Sequence, residues 1–464
     1  MTSMSTQMTV ADVWAGLAGS LVASAIPGSG AASRSFERGL IDSREARPGD
    51  LFFALQGERA DGHDYVAAAL SAGASGAVVG RPVEAPEGAA MFIVSDPLNA
   101  LQRLAANWRA RHETKVIAVT GSVGKTTAKE LIASVLSRRY RTLKSEANLN
   151  TEIGIPLTLL NLRAEHQRAV LEFGMYQPGD IALLARIGRP SVGVVTNVSY
   201  VHLERVRSFG RIIAAKAELV EGLQAGGFAV LNGDDPNVAA MTRRTRARAL
   251  LFGLSQQCDV RAANVVGRGL DGFSFRLHAA GSEVDIECPL LGKHHVYPAL
   301  AAAAVALEDG MSLAEVAEAL REARLDLRLT VRTGPNGSTI IDDSYNASPA
   351  SMIAALDLLA EAKAGRRIAV LGHMRELGMA EAEGHEMIGR HTATTCDVLI
   401  VTGLDARVLA NAAKAAGHPN VRLVETPEDT SATLQGELRE GDVCLIKASR
   451  AVGLEAVVEA VVGA

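Results

Sequence analysis

Val119-Thr120-Gly121-Ser122-Val123-Gly124-Lys125-Thr126-Thr127 carries the sharpest chemical signal in the chain. Holding a polyphosphate requires backbone N–H groups that converge on anionic oxygens, a helix N-terminus and a lysine within reach. Gly121, Ser122, Val123, Gly124, Lys125, Thr126 and Thr127 are spaced to supply them. Lys125 can reach the β- and γ-phosphates of a nucleotide, and Thr126 can set its hydroxyl on Mg2+. Val119 stands where the common P-loop has its first glycine, so the match is incomplete. The bland alternative is a tight strand-to-helix turn with a solvent-facing lysine. The apolar strand before the loop and the helix after it favour phosphate.

Other residues stand where they can reach such a centre. Glu172 follows the apolar run Ala169-Val170-Leu171, and His202 follows Val192 to Thr196 by a short loop. A carboxylate at a strand end is an ordinary ligand for hard Mg2+. An imidazole is a less usual one and by itself reads more readily as a surface or hydrogen-bonded residue. Lys216 lies in Ala214-Ala215-Lys216-Ala217, where a helical lysine by itself snorkels to solvent. Asp234, Asp235, Asp342 and Asp343 read by themselves as turn caps. A phosphate loop does not choose between a switch, a kinase, a motor and a ligase.

The positioning elements follow from pattern. Val116 to Val119 predicts a strand, Gly121 to Gly124 a turn, and Lys125 to Arg138 a helix. Strands at Ala169 to Leu171, Val192 to Thr196 and Phe228 to Leu231 alternate with helical segments, which predicts a largely parallel α/β sheet. Cys258 to Cys288 alternates polar and apolar residues and reads as an antiparallel insertion on one edge. Helices are expected at Ala299 to Leu307 and Leu313 to Ala323.

Upstream, Leu51 to Leu55 and Ala77 to Gly80 read as strands, and Tyr65 to Ala72 and Leu98 to Arg111 as helices. The charged Arg109 to Lys115 reads as a linker. Downstream, strands at Thr339 to Ile341, Ile368 to Leu371, Val398 to Val401 and Val443 to Ile446 form a third block. Its clearest helices are Ala350 to Ala362 and Leu404 to Ala416.

Composition bounds the answer. At 464 residues the chain is long enough for about three domains. Hydrophobic residues at 48% and charged residues at 21% exclude wholesale disorder. The formal net charge of -5 gives no nucleic-acid surface. With aromatics at 4%, packing must rest on aliphatic side chains and close backbone approach. Cys258, Cys288, Cys396 and Cys444 are too scattered for a metal cluster or a disulfide framework, which favours the cytoplasm. No apolar stretch is long enough to span a bilayer, so no integral membrane segment is expected.

Taken in order, the motifs resemble the Mur ligase family over nearly the whole chain. Asp42-Ser43-Arg44 and RPGDLFFALQGERADGHDYV come first, then TGSVGKTTAKE, LNTEIGIPLTLL, LEFGMYQPGDI and VTNVSYVHLE. AAKAEL, LNGDDPNV, DDSYNASPASM and KASRAVGLEAVV complete the series. The branch most closely resembled adds D-alanyl-D-alanine to UDP-N-acetylmuramoyl-tripeptide. The resemblance implies an α/β, three-domain Mur ligase architecture with a central P-loop ATPase domain and a C-terminal Rossmann-like domain. Its boundaries would give 1–112 for the UDP-sugar substrate, 113–322 for ATP and 323–464 for the acceptor. It implies ATP and Mg2+, a cytoplasmic monomer and an acyl-phosphate intermediate. The alternatives are a ligase of the same family adding a single amino acid, and a P-loop switch that forms no amide.

The resemblance also implies residue roles. Thr126 and Glu172 would bind one Mg2+ and His202 a second metal, while Lys216 would carry a carbamate and become an anionic oxygen ligand. Lys125, Glu172, His202 and Lys216 would form the catalytic set. Asp42, Ser43, Arg44, Asn150 and Thr151 would face the donor substrate, with a local strand-end salt bridge as the alternative for Arg44, and Glu152 reads as structural. Asn346, beside Asp343, Tyr345 and Ser348, would touch nucleotide or make an inter-domain contact. Lys447, Ser449 and Arg450 would orient the acceptor carboxylate, with ordinary domain packing as the equal alternative. Two departures stand out. His295 and Pro298 occupy places where the family often has asparagine, so adenine recognition would fall to His295 or to backbone. His373 stands where an aspartate is more usual.

Overall fold

The computed structural model describes residues 7–25, 35–86, 88–199, 208–224, 226–325 and 329–463. In the first part, helix α1 (Val10–Leu17) starts at a capping box made by Thr9 and Asp12. Strands β1 (Leu21–Ala25), β2 (Gly39–Leu40), β3 (Leu51–Phe53), β4 (Gly76–Val79) and β5 (Ala90–Val94) form one sheet in the order β1-β5-β4-β3-β2. Helix α2 (Val66–Ser71) connects β3 to β4. Helix α3 (Pro97–Ala110) begins where the Asp96 carboxylate accepts the Leu98 and Asn99 N–H groups. Proline fills its first position, where no N–H is needed. Its buried stripe, Ala100, Leu101, Leu104, Ala105 and Trp108, has helical spacing. This helix absorbs Arg109 and Ala110 of the expected linker, so only residues 111–114 connect it to the next strand.

The central part runs β6 (Lys115–Thr120), α4 (Lys125–Ser137), β7 (Thr142–Lys144), α5 (Gly154–Leu159), β8 (Arg168–Glu172), α6 (Asp180–Gly188), β9 (Val192–Val195), α7 (Phe209–Glu221) and β10 (Phe228–Asn232). It continues through β11 (Arg248–Gly253), β12 (Val260–Gly267), β13 (Phe273–Ala279), β14 (Ser282–Cys288), α8 (Val296–Glu308) and α9 (Leu313–Arg321). The sheet order is β14-β13-β12-β11-β10-β9-β6-β8-β7, parallel from β12 to β7 and antiparallel at the β12-β13-β14 edge. The expected antiparallel insertion is therefore the sheet's own edge. Strand β6 lies between β8 and β9, so the loop after it opens among the C-terminal ends of parallel strands, where α/β sheets bind ligands.

The last part contains β15 (Thr330–Thr333), β16 (Thr339–Asp342), α10 (Pro349–Glu361), β17 (Arg367–Leu371), α11 (Glu381–Thr395) and β18 (Val398–Thr402). It ends with α12 (Arg407–Ala415), β19 (Val421–Val424), α13 (Pro427–Glu437), β20 (Val443–Lys447) and α14 (Leu454–Val462). Its order is β15-β16-β20-β17-β18-β19, parallel except for β15. Helices α10, α11 and α12 pack on one face, and α13 and α14 on the other. Residues Leu404–Ala406 form a 3-10 turn, so the helix expected from Leu404 is α-helical only from Arg407. The edge strands β15 and β19 have no fully buried residue and hence little apolar pattern for sequence to show.

One core joins the first two sheets. Val78, Phe92, Leu101, Leu104 and Trp108 share a cluster with Val116, Ala118, Leu159, Leu171 and Leu184. The Trp108 indole N–H donates to the Leu162 carbonyl at 3.1 Å, and Arg109 donates to the Gly188 carbonyl at 3.1 Å. These bonds fix α3 against the central part. The last sheet has its own two cores, and Leu270 and Leu291 of the central part pack against one of them. Lys293 pairs with Glu361 at 2.9 Å across its junction with the central part.

Candidate active site

The loop after β6 is shaped by two glycines. Gly121 has φ +154°, and a Cβ there would lie 1.9 Å from the Thr196 hydroxyl oxygen. Gly124, at φ +79°, is the left-handed residue that starts α4. Lys125 folds back over the loop, with Nζ donating to the carbonyls of Gly121 at 2.9 Å and Ser122 at 3.1 Å. It is not the solvent-facing lysine of the bland reading.

The segment after β9 cradles the loop from the other side. The Asn197 side chain accepts the Val123 N–H and donates to the Val123 carbonyl, both at 2.9 Å. Thr196 Oγ1 donates to the same carbonyl at 2.8 Å, and Ser199 N–H donates to Ser122 Oγ at 2.8 Å. Asn232 and Asp235 brace that segment in turn, through Thr196 O at 2.8 Å and Val198 N–H at 2.7 Å. Sequence reasoning did not single out Thr196, Asn197 or Asn232. Their signal was position, at the C-terminal ends of strands beside β6.

Glu172, the last residue of β8, meets the loop directly. Thr126 Oγ1 donates to Glu172 Oε2 at 2.8 Å, and Asn150 Nδ2 donates to Oε1 at 3.0 Å. The Glu172 N–H donates to Ser145 Oγ at 3.1 Å. The Ser145 carbonyl in turn accepts from the fully buried Lys129 at 2.6 Å. The pairing of Thr126 with Glu172 is a set of hard oxygen donors that fits Mg2+.

Lys216, on α7, is only 2% exposed and donates to the Gly121 carbonyl at 2.8 Å. It does not snorkel, contrary to the isolated reading, because α7 turns it under the loop instead of toward water. Two lysines thus share one carbonyl. Burial, and then the Lys125 charge, push the Lys216 amine well below its usual range. His202 lies outside the described residues.

On the far side of the sheet end, Tyr297 donates to Asp234 at 3.1 Å. Asp234 also accepts the Leu254 and Ser255 N–H groups, so it braces this region and does more than cap a turn. His295 is buried, its ring lies 4.1 Å from that of His294, and its Nδ1 has no hydrogen-bond partner among the described residues. Burial pushes His295 down to about 4, so the ring is neutral near pH 7. Pro298 falls in the first turn of α8, where its missing N–H costs no helical bond. The His294 ring is held well below its usual range by burial, then by His295 and the Lys447 charge.

The last sheet gathers a second cluster at its C-terminal strand ends. Buried Lys447 pairs with Asp343 at 2.6 Å and donates to the Asn346 carbonyl at 2.8 Å. Asn346 uses its own side-chain oxygen to accept the Ala347 N–H, and Ser348 caps α10 with Ser351. Arg450 lies over the Tyr345 ring at 5.4 Å. Ser449 is buried. Its Oγ accepts the Arg375 N–H at 2.9 Å and its N–H donates to the His373 carbonyl at 3.0 Å. His373 lies 3.5 Å from Glu381 and 3.8 Å from Asp405, so a histidine faces carboxylates at the departure position.

In the first sheet, Asp42 caps the turn Ser43–Glu45, and Arg44 folds onto it with an 86% exposed side chain. Arg44 holds the Asp42 carboxyl down at about 2. The Thr151 hydroxyl accepts the N–H groups of Ile153 and Gly154 at the start of α5. Glu152 offers its carbonyl to Gln102 of α3. Thr151 and Glu152 are thus engaged in local structure, and Asn150 belongs to the Glu172 cluster.

Profiles of known families match the three stretches separately. Residues 40–109 match "Mur ligase family, catalytic domain", 119–306 match "Mur ligase middle domain", and 327–450 match "Mur ligase, glutamate ligase domain". The UDP-N-acetylmuramoyl-tripeptide--D-alanyl-D-alanine ligase of Mycobacterium tuberculosis is 38% identical, over 98% of this chain and 98% of that protein. Among solved structures, MurF from Acinetobacter baumannii superposes with a TM-score of 0.87, at 31% identity over 99% of both chains. The MurF ligase of Thermotoga maritima, solved with ADP, gives 0.80 at 30% identity over 92% of this chain and 97% of that one.

Proposed function

The chain belongs to the Mur ligase family, and we propose that it joins D-alanyl-D-alanine to UDP-N-acetylmuramoyl-tripeptide with hydrolysis of ATP. It is an ATP-dependent amide-forming ligase of peptidoglycan precursor synthesis. The observation that carries this reading is the cluster at the end of β6, where Lys125, Lys216, Thr126 and Glu172 converge on one phosphate loop.

A free carboxylate does not accept an amine, because oxide is too poor a leaving group. The donor carboxylate attacks the γ-phosphorus of ATP, ADP departs, and an acyl phosphate remains. The amine of D-alanyl-D-alanine then attacks that carbonyl. The tetrahedral intermediate loses a proton and expels phosphate, leaving the amide. The loop amides and the α4 N-terminus hold the phosphates, and Lys125 balances charge that builds on the transferred group. Thr126 and Glu172 would hold Mg2+, which spreads the negative charge of the phosphates when bound. Arg44 is exposed and can exchange its Asp42 partner for an anionic group of the donor. His295 would face adenine, and Asn346 the nucleotide near the junction with the last sheet.

Lys216 is the proposed carbamate. A buried ammonium beside a second ammonium on one carbonyl is poorly solvated, whereas its neutral amine is the form that captures CO2. The carbamate would oppose Lys125 and offer oxygen to a metal. His202 would serve a second metal. Domain boundaries near residues 112 and 322 are supported by the three sheets. No helix among the described residues is long and apolar enough to cross a membrane. The reading places the enzyme in the cytoplasm as a monomer.

The test supplies ATP, Mg2+ and UDP-N-acetylmuramoyl-tripeptide, with D-alanyl-D-alanine or single amino acids as acceptors. Phosphate release is followed, and the product is weighed by mass spectrometry. Pentapeptide product with the dipeptide is expected. Phosphate release without it, for donors carrying either meso-diaminopimelate or lysine, would sink the assignment.

A further inference from the structure

The reversal of direction in the last sheet marks a crevice. The loop after β17 leads to α11 on one face, and the loop after its neighbour β20 leads to α14 on the other. Ligands of open α/β sheets bind where two such loops diverge. Ser449 holds the two loops together, through the Arg375 N–H on its Oγ and its own N–H on the His373 carbonyl. Arg375 therefore has a fixed backbone at the lip of the crevice. Its side chain is exposed, and its guanidinium has no hydrogen bond or ion pair among the described residues. The following residue, Glu376, is held at φ +65°, a left-handed conformation uncommon for a side chain of this kind. That turn separates Arg375 from Leu377, which is buried.

The two cations on the loop after β20 are engaged. Lys447 is spent on Asp343 and on the Asn346 carbonyl, and Arg450 lies over Tyr345. The acceptor dipeptide has one permanent anion, its carboxylate, and a planar guanidinium pairs with a carboxylate in a bidentate fork.

We propose that Arg375 is a specificity-determining residue that binds the carboxylate of the acceptor dipeptide. The assignment rests on the reading of this chain as a dipeptide-adding ligase. The carboxylate is favoured over nucleotide phosphate because the phosphates already have their own loop on the central sheet.

Steady-state kinetics of Arg375→Gln and Arg375→Lys, with D-alanyl-D-alanine and its C-terminal amide as acceptors, test it. Replacing the charged bidentate fork by a neutral amide should raise the KM for the dipeptide about tenfold to a hundredfold in Arg375→Gln. KM for ATP and for UDP-N-acetylmuramoyl-tripeptide should stay within about twofold, since neither contact is touched. The parent enzyme should prefer the dipeptide to its amide, Arg375→Gln should lose most of that preference, and Arg375→Lys should keep part of it. An unchanged dipeptide KM, or intact discrimination against the amide, overturns the proposal. A parallel rise in the KM for ATP does so too, by moving the guanidinium to phosphate. If the parent enzyme makes no pentapeptide with any dipeptide concentration, the failure lies in the functional reading itself.

Discussion

Lys125 and Lys216 both donate to the Gly121 carbonyl, which sets two amines side by side under one loop. Lys125→Ala should lower turnover about a hundredfold or more, since it removes charge stabilisation from the transferred phosphoryl group. Phosphate release at saturating substrates reads this, and near-normal turnover would defeat the role. Lys216 should yield a carbamate carbonyl resonance when the protein is equilibrated with 13C-bicarbonate. The resonance should be missing in Lys216→Gln, and an identical spectrum for both proteins counts against the carbamate.

His295 gives a pH prediction. Its folded value of about 4 lies below the unfolded 6.5, so between these values the unfolded chain binds more protons. Stability attributable to this ring is full above pH 6.5 and falls by up to about 1.4 kcal/mol per unit as pH drops toward 4. His294 is depressed as well, so some slope will remain when His295 is replaced. His295→Gln should therefore flatten the change in urea midpoint between pH 7 and pH 5 without abolishing it. An unaltered slope would show that the ring is not buried neutral.

At the scale of elements, the junction of β6 and α4 depends on two glycines for different reasons. Gly124 needs only its left-handed backbone, as a Cβ there meets nothing within 4 Å. Gly124→Ala should cost about 1 kcal/mol. Gly121 faces Thr196, which also holds the Val123 carbonyl, so a methyl group there must displace part of the cradle. Gly121→Ala should cost more than Gly124→Ala in denaturant unfolding and should also weaken ADP binding, measured by calorimetric titration. Equal costs for the two would mean that the cradle yields without resistance. Much of this was legible beforehand. The strand, turn and helix around the loop follow from an apolar run, two glycines and an amphipathic stretch. The edge strands β15 and β19 were not legible, because a mostly exposed edge and a uniformly half-buried one carry weak alternation.

For the whole molecule, the shared core of the first two sheets predicts their joint unfolding, with the last sheet as a separate unit. Trp108 stands at the shared boundary, nearly buried and bonded to the Leu162 carbonyl. Trp108→Ala should remove about 3–5 kcal/mol. In scanning calorimetry it should lower the larger transition and leave the smaller one in place. A uniform downward shift of a single transition would show that the three sheets unfold together. The Lys293–Glu361 pair at the last junction is partly exposed, so it contributes little to such coupling.

Local pattern determined most of the secondary structure, and the series of motifs identified the ligase family, because both are written in consecutive residues. The phosphate loop was readable for the same reason, since its chemistry lies in nine adjacent positions. Tertiary structure decided which separated side chains meet. Lys216 read by itself as a snorkelling helical lysine, and only the packing of α7 turned it under Gly121. Asn197 drew no notice until β9 set it beside β6, and Arg375 none until the order of strands placed it at the lip of a crevice. A side chain's charge state and partners depend on burial and on neighbours distant in sequence, and those are fixed only when strands far apart in the chain are brought into register.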